Sequence, residues 1–123
     1  MRIVAGISAL AAALVLMAAP DAKTATVTTV KGYVIDSACT FTKNLKKPIS
    51  PDCAKACAKA GSPLVILGDD GAIYWPTTDA MPAASQNDKL VPFAGERVVA
   101  SGKVYMHGGS KGLLIEKIEA EKK

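Results

Sequence analysis

Three cysteines, Cys39, Cys53 and Cys57, and a single histidine, His107, are the residues of this 123-residue chain whose side chains carry distinctive chemistry. Cys53 and Cys57 stand four apart in the run S-P-D-C-A-K-A-C-A-K-A-G-S-P, from Ser50 to Pro63. On a helix that spacing puts both sulfurs on one face, with their backbones roughly 6 Å apart. Both thiols can then point at one partner. Cys39 follows an apolar strand and is joined to the pair by a loop carrying Lys43, Lys46 and Lys47, and Lys55 and Lys59 continue the positive charge along the helix. Cations beside a sulfur favour the thiolate, which raises both reactivity and metal affinity. A solvated lysine surface with no such effect is the plainer reading.

Three chemistries fit these thiols. A small domain in an oxidising compartment commonly staples a loop to its core with a disulfide. Cys39 paired with Cys53 or Cys57 closes the lysine-rich segment, and closing about 15 residues is worth on the order of 3 kcal/mol. A bridge between Cys53 and Cys57 within one helix is geometrically less comfortable. The odd count leaves one thiol over, which suits a three-sulfur metal site better than a disulfide framework. Soft sulfur ligands select Cu(I) or Zn, with His107, Met106 or Met81 as a fourth ligand. By strand alternation His107 falls on the outward set, where a surface histidine is the commoner outcome. Thiol redox chemistry is the third reading, but C-x-x-x-C is not the C-x-x-C of thioredoxin-like enzymes.

The elements that must position these residues are legible around them. Ser50 suits a helix N-cap, Pro51 the first helical position and Asp52 the positive end of the helix dipole. Ala54, Ala56, Ala58 and Ala60 favour helix, and Gly61 with Pro63 ends it. Before Cys39, Val27 to Asp36 reads as a strand with Gly32 marking a bulge or bend. After the helix, Leu64 to Leu67 is a continuous apolar run, expected of a strand buried on both faces. Asp69-Asp70-Gly71 signals a hairpin turn into a return strand, Ala72 to Trp75. The segment from Pro76 to Gly95 is rich in turn formers, with a short helix expected over Pro82 to Leu90. Arg97 to Met106 alternates, placing Val98, Ala100, Gly102, Val104 and Met106 on the core side. His107 to Ser110 is a loop, and Gly112 to Glu119 is a last strand that leads into a charged, frayed tail at residues 120–123.

Residues 1–22 read as an export signal, with Arg2 followed by the apolar run Ile3 to Ala19. Cleavage sites ending at Ala19, Ala22 or Ala25 all depart from the small-x-small pattern. The alternative is an uncleaved anchor, about 17 apolar residues being the short limit for a bilayer span. One domain over residues 27–119 remains, placed in the periplasm or secreted. A net charge of +4 with 5% aromatics is no nucleic-acid signature, which leaves a protein or small ligand of the cell envelope as the partner class. No G-x-S-x-G, phosphate loop, H-E-x-x-H or C-x-x-C-H occurs. Asp36, Asp52, Asp69, Asp70, Asp79 and Asp88 read as turn and cap residues. These features argue against an enzyme.

A mainly β chain is expected, with strand, cysteine helix, two-strand hairpin, short helix and a final strand pair. That order resembles a five-stranded OB-like barrel with the cysteine helix inserted between strands 1 and 2. The phrase F-A-G-E-R-V-V-A-S-G-K-V, Phe93 to Val104, is similar to the fourth-strand region of such domains. A generic five-stranded roll is the alternative. G-Y-V-I-D-S-A-C, Gly32 to Cys39, followed by C-A-K-A-C-A-K-A-G-S-P, Cys53 to Pro63, resembles a group of small exported uncharacterised bacterial proteins. They share a strand ending D-x-x-C, a C-A-x-x-C helix and a G-x-P exit. Some of them carry a histidine just before the helix cysteines, where this chain has Ser50-Pro51, and the resemblance implies no activity. The sequence thus predicts an exported, non-catalytic OB-like binding or accessory module with a disulfide-stapled cysteine helix. The alternative is a thiolate Cu or Zn protein.

Overall fold

The computed structural model describes residues 26–43 and 50–123. The expected export signal lies outside them, as do Lys46 and Lys47. Five strands, β1 (Thr26–Asp36), β2 (Leu64–Gly68), β3 (Ile73–Pro76), β4 (Arg97–His107) and β5 (Ser110–Ala120), close into a barrel in the order β1-β2-β3-β5-β4. All pairings are antiparallel except β3 with β5. This is the OB-like barrel expected from the order of the elements.

Strand β1 serves two neighbours, with Thr26 to Tyr33 pairing with β4 and Gly32 to Asp36 with β2. Gly32 sits where the two ladders overlap, and a Cβ there would lie 2.1 Å from the carbonyl oxygen of Leu67. Only glycine permits that approach. The bend puts the end of β1, at Asp36, beside Leu64 at the start of β2.

Inward alternation buries Val30, Val34, Leu64, Ile66, Tyr74, Val98, Ala100, Val104 and Leu113, with Leu90 and Ala58 packed among them. Each fully buried aliphatic side chain contributes about 1.5–3 kcal/mol. On the opposite face of β1 and β2, Ile35 and Val65 gather Tyr33, Leu67, Ile73, Trp75 and Cys39. Strand β2 is therefore covered on both sides, as its unbroken apolar run predicts. In β5 the register steps from Lys117, opposite Ser101, to Ile115, opposite Gly102. The extra residue, Glu116, changes the strand's phase, so Leu113, Ile115 and Ile118 all reach the core.

Four local expectations are revised. The segment after Asp36 is not a loop but a short helix, α1 (Ser37–Thr42), capped by Asp36 and resting Phe41 on Trp75 with ring centroids 6.2 Å apart. The helix expected over Pro82 to Leu90 is one turn, α3 (Asn87–Leu90), followed by a 3-10 turn (Val91–Phe93). The Asn87 side chain pins it by accepting from Leu64 N–H and donating to the Ser62 carbonyl. Met106 is 51% exposed rather than core, because β1 begins opposite Val104 and the β4–β5 hairpin runs on past it. The C-terminal tail is tied down at Glu121, whose N–H donates to the Arg97 carbonyl and whose carboxylate accepts from Arg97 Nε. Arg97 also forks onto Asp69 at 2.8 and 2.6 Å.

Candidate functional site

Two helices carry the three thiols to one end of the barrel. Helix α2 (Pro51–Lys59) begins as its sequence predicts, with Ser50 as N-cap and its hydroxyl accepting from Cys53 N–H at 3.2 Å. Its small residues Ala54 and Ala58 are buried, letting the helix sit close over the barrel end. Its first turn rests on Gly95, where a Cβ would lie 2.5 Å from the Cα of Pro51. With Ala54 and Ala58 committed to the barrel, Cys53 and Cys57 lie on the flank, Cys53 exposed and Cys57 half-buried.

Cys39 reaches the same place through Asp36. The Asp36 carboxylate is the N-cap of α1 and accepts from Cys39 N–H at 3.0 Å. The same oxygen, Oδ2, accepts from the Ser62 hydroxyl at 3.5 Å, and Ser37 N–H donates to the Pro63 carbonyl at 2.8 Å. One carboxylate thus links the start of α1 to the exit of α2. The sulfurs of Cys39, Cys53 and Cys57 consequently all lie within 4.8 Å of one another. All three are free thiols in this structure.

Asp36 is 1% exposed, and its second oxygen, Oδ1, has no hydrogen-bond partner among the described residues. Buried polar atoms are nearly always paired, so this one marks the site. The adjoining Asp36 carboxylate, then burial, then the two neighbouring sulfurs push the Cys39 thiol pKa up to about 11. Cys57 is pushed up as well, first by burial and then by the charges of Asp36 and Cys53. Lys43, Lys55 and Lys59 are solvent-exposed, as the plainer reading of them expects.

The remaining sequence candidates lie elsewhere. His107 is outside the sulfur group, ending β4 opposite Ser110. Since Arg97 at the other end of β4 pairs with Tyr33, ten residues of strand separate the histidine from the cysteine end. It lines a cavity of about 370 Å³ with Thr77, Asp79 and Tyr105. Met106 is beside it, and Met81 is 79% exposed. Asp36 is the residue that sequence reasoning missed. Its spacing in D-x-x-C signals a cap, but nothing local signals its burial.

Among the described residues no helix is long and apolar enough to cross a membrane. No protein-family profile, no curated protein and no solved structure matches this chain.

Proposed function

We propose that this chain is an exported, non-catalytic module that binds a soft or borderline metal ion, Cu(I) or Zn(II), on Cys39, Cys53 and Cys57. The observation that carries the reading is the convergence of three sulfurs, from two helices, to within 4.8 Å. A disulfide needs two of them and has no use for the third, whereas a thiolate metal site uses all three. The Cys39 and Cys57 thiols are pushed up, opposite to the direction in which a nucleophile is activated. The export part of the reading rests on Arg2 and the run Ile3 to Ala19. A partner in the cell envelope then supplies or receives the ion.

Mass spectrometry of protein isolated from a bacterial envelope fraction tests the whole reading. The expected result is a mature N-terminus between Ala19 and Thr26, with one metal ion retained under native conditions and lost on denaturation. Replacing any of the three cysteines by Ser is expected to abolish stoichiometric loading with added Zn(II) or Cu(I). A species two hydrogens lighter that takes up no metal before or after reduction would establish the disulfide staple instead.

A further inference from the structure

Resting on the metal-binding reading, we infer that the cysteine site is an all-sulfur, three-coordinate centre for Cu(I), with a fourth position left open to an incoming soft donor. The inventory of donors around the site points this way. Among the described residues, no imidazole nitrogen and no carboxylate oxygen joins the three sulfurs within the same 4.8 Å. Asp36 serves as cap and brace through Oδ2 and stands outside that group. The connection between the two cysteine helices adds nothing to it. Residues 44–49 read Asn-Leu-Lys-Lys-Pro-Ile, without a cysteine, histidine, methionine or carboxylate, and residues 1–25 hold neither cysteine nor histidine. The chain's single histidine, His107, ends β4 at the other end of the barrel.

The number and kind of donors select the ion. A closed Zn(II) site takes four ligands, so on three cysteines Zn(II) must draw its fourth from outside the chain. Cu(I) is soft and monovalent, and three thiolates satisfy it. The sulfurs are also unequally covered, with Cys39 and Cys57 half-buried and Cys53 exposed. An incoming donor therefore reaches the ion from the Cys53 side. Loading is a ligand exchange with no change of oxidation state: three S–H bonds break, three copper–sulfur bonds form and three protons leave to solvent. Release reverses it stepwise. The incoming donor bonds to Cu(I) in the open position, one copper–sulfur bond breaks, and the freed sulfur takes a proton from solvent.

The test loads the reduced protein with Cu(I), Zn(II) and Co(II) in turn. X-ray absorption at the copper edge is expected to show three sulfur neighbours and no nitrogen or oxygen. In an equimolar mixture Cu(I) should hold the site and leave Zn(II) in solution. The Co(II) spectrum should shift on adding imidazole, because only solvent fills the fourth position. Transfer of Cu(I) to bicinchoninate, followed by its colour, should quicken in proportion to chelator concentration, as attack on an open position requires. Met81→Leu, Met106→Leu and His107→Asn remove the thioether and imidazole donors of the described residues, and each should leave Cu(I) affinity unchanged. A fourth protein donor in the copper spectrum, a Co(II) spectrum that ignores imidazole, or a loss of Cu(I) affinity in any of these variants overturns the inference while leaving a metal site standing. Zn(II) winning the mixture, or a transfer rate independent of chelator concentration, does the same. Failure of the reduced protein to take up any of the three ions removes the metal reading itself, and this inference with it.

Discussion

Replacing Gly95 by Ala tests whether the seat of α2 holds the cysteine site together. Gly95 has a φ of 78°, a left-handed conformation that costs a residue with a Cβ about 1–2 kcal/mol. The new Cβ would also fall 2.5, 2.7 and 2.9 Å from the Cα, N and Cγ of Pro51. Ordinary carbon contacts are ~3.5–4.0 Å, so α2 must move by about 1 Å. Two of the clashing atoms are backbone and cannot rotate away. Overpacking of this kind costs about 1–3 kcal/mol, giving about 2–5 kcal/mol in all. For a domain of this size that corresponds to a melting temperature lower by on the order of 10–30 °C. Gly71→Ala supplies the control, since Gly71 has a φ of 81° but open space where its Cβ would be. It should lose only the conformational share, about 1–2 kcal/mol. Thermal melts of both variants, with Zn(II) titrations of the folded protein at low temperature, separate the two effects. Gly95→Ala should also bind Zn(II) more weakly, because displacing α2 moves Cys53 and Cys57 away from Cys39, whereas Gly71→Ala should bind normally. Melting temperatures within a few degrees of each other, with equal affinities, would refute the idea that this contact positions the site.

Two further predictions concern the barrel itself. Val104→Asp places an unpaired charge in the core and should unfold the domain, while Lys103→Asp, on the neighbouring outward position, should change stability by less than about 0.5 kcal/mol; circular dichroism melts compare them. Tyr74 donates to Asp70 at 2.7 Å, which, with the Ala72 N–H, holds the Asp70 carboxyl below its usual range. Burial, and then Asp70, pushes the Tyr74 phenol up to about 12. The depressed carboxyl contributes stability that is lost as pH falls through the acid range. The raised phenol contributes stability that is present below about pH 10 and lost as pH rises toward about 12. Tyr74→Phe should cost about 1 kcal/mol at neutral pH. Its deficit relative to the parent, followed by melting temperature against pH, should shrink at both extremes; a constant deficit would show that the Asp70 contact contributes nothing.

Much of this arrangement is determined by local sequence, because the governing interactions span only a few residues. Alternation in Val98 to Val104 sets the inward face of β4, and the unbroken run Leu64 to Leu67 marks a strand covered on both sides. Ser50, Pro51 and the alanines define α2 and put Cys53 and Cys57 on one face. What local pattern could not carry is anything that depends on the ends of distant elements meeting. Helix α1 is six residues of mostly indifferent helix formers, held by its Asp36 cap and by Phe41 lying on Trp75 of another strand. Met106 keeps the core phase of its strand, yet the barrel ends before it does. His107 and Cys39 both looked available to one site until the register of β1 against β4 put them at opposite ends. Asp36 is decided in the same way. Its cap role follows from spacing, but its burial and its unpartnered oxygen exist only because β1 ends against Leu64 and α2 exits over it through Ser62 and Pro63. A carboxylate buried by residues 26 and more positions away leaves no trace in its own neighbourhood, and that long-range closure turns three separated cysteines into one site.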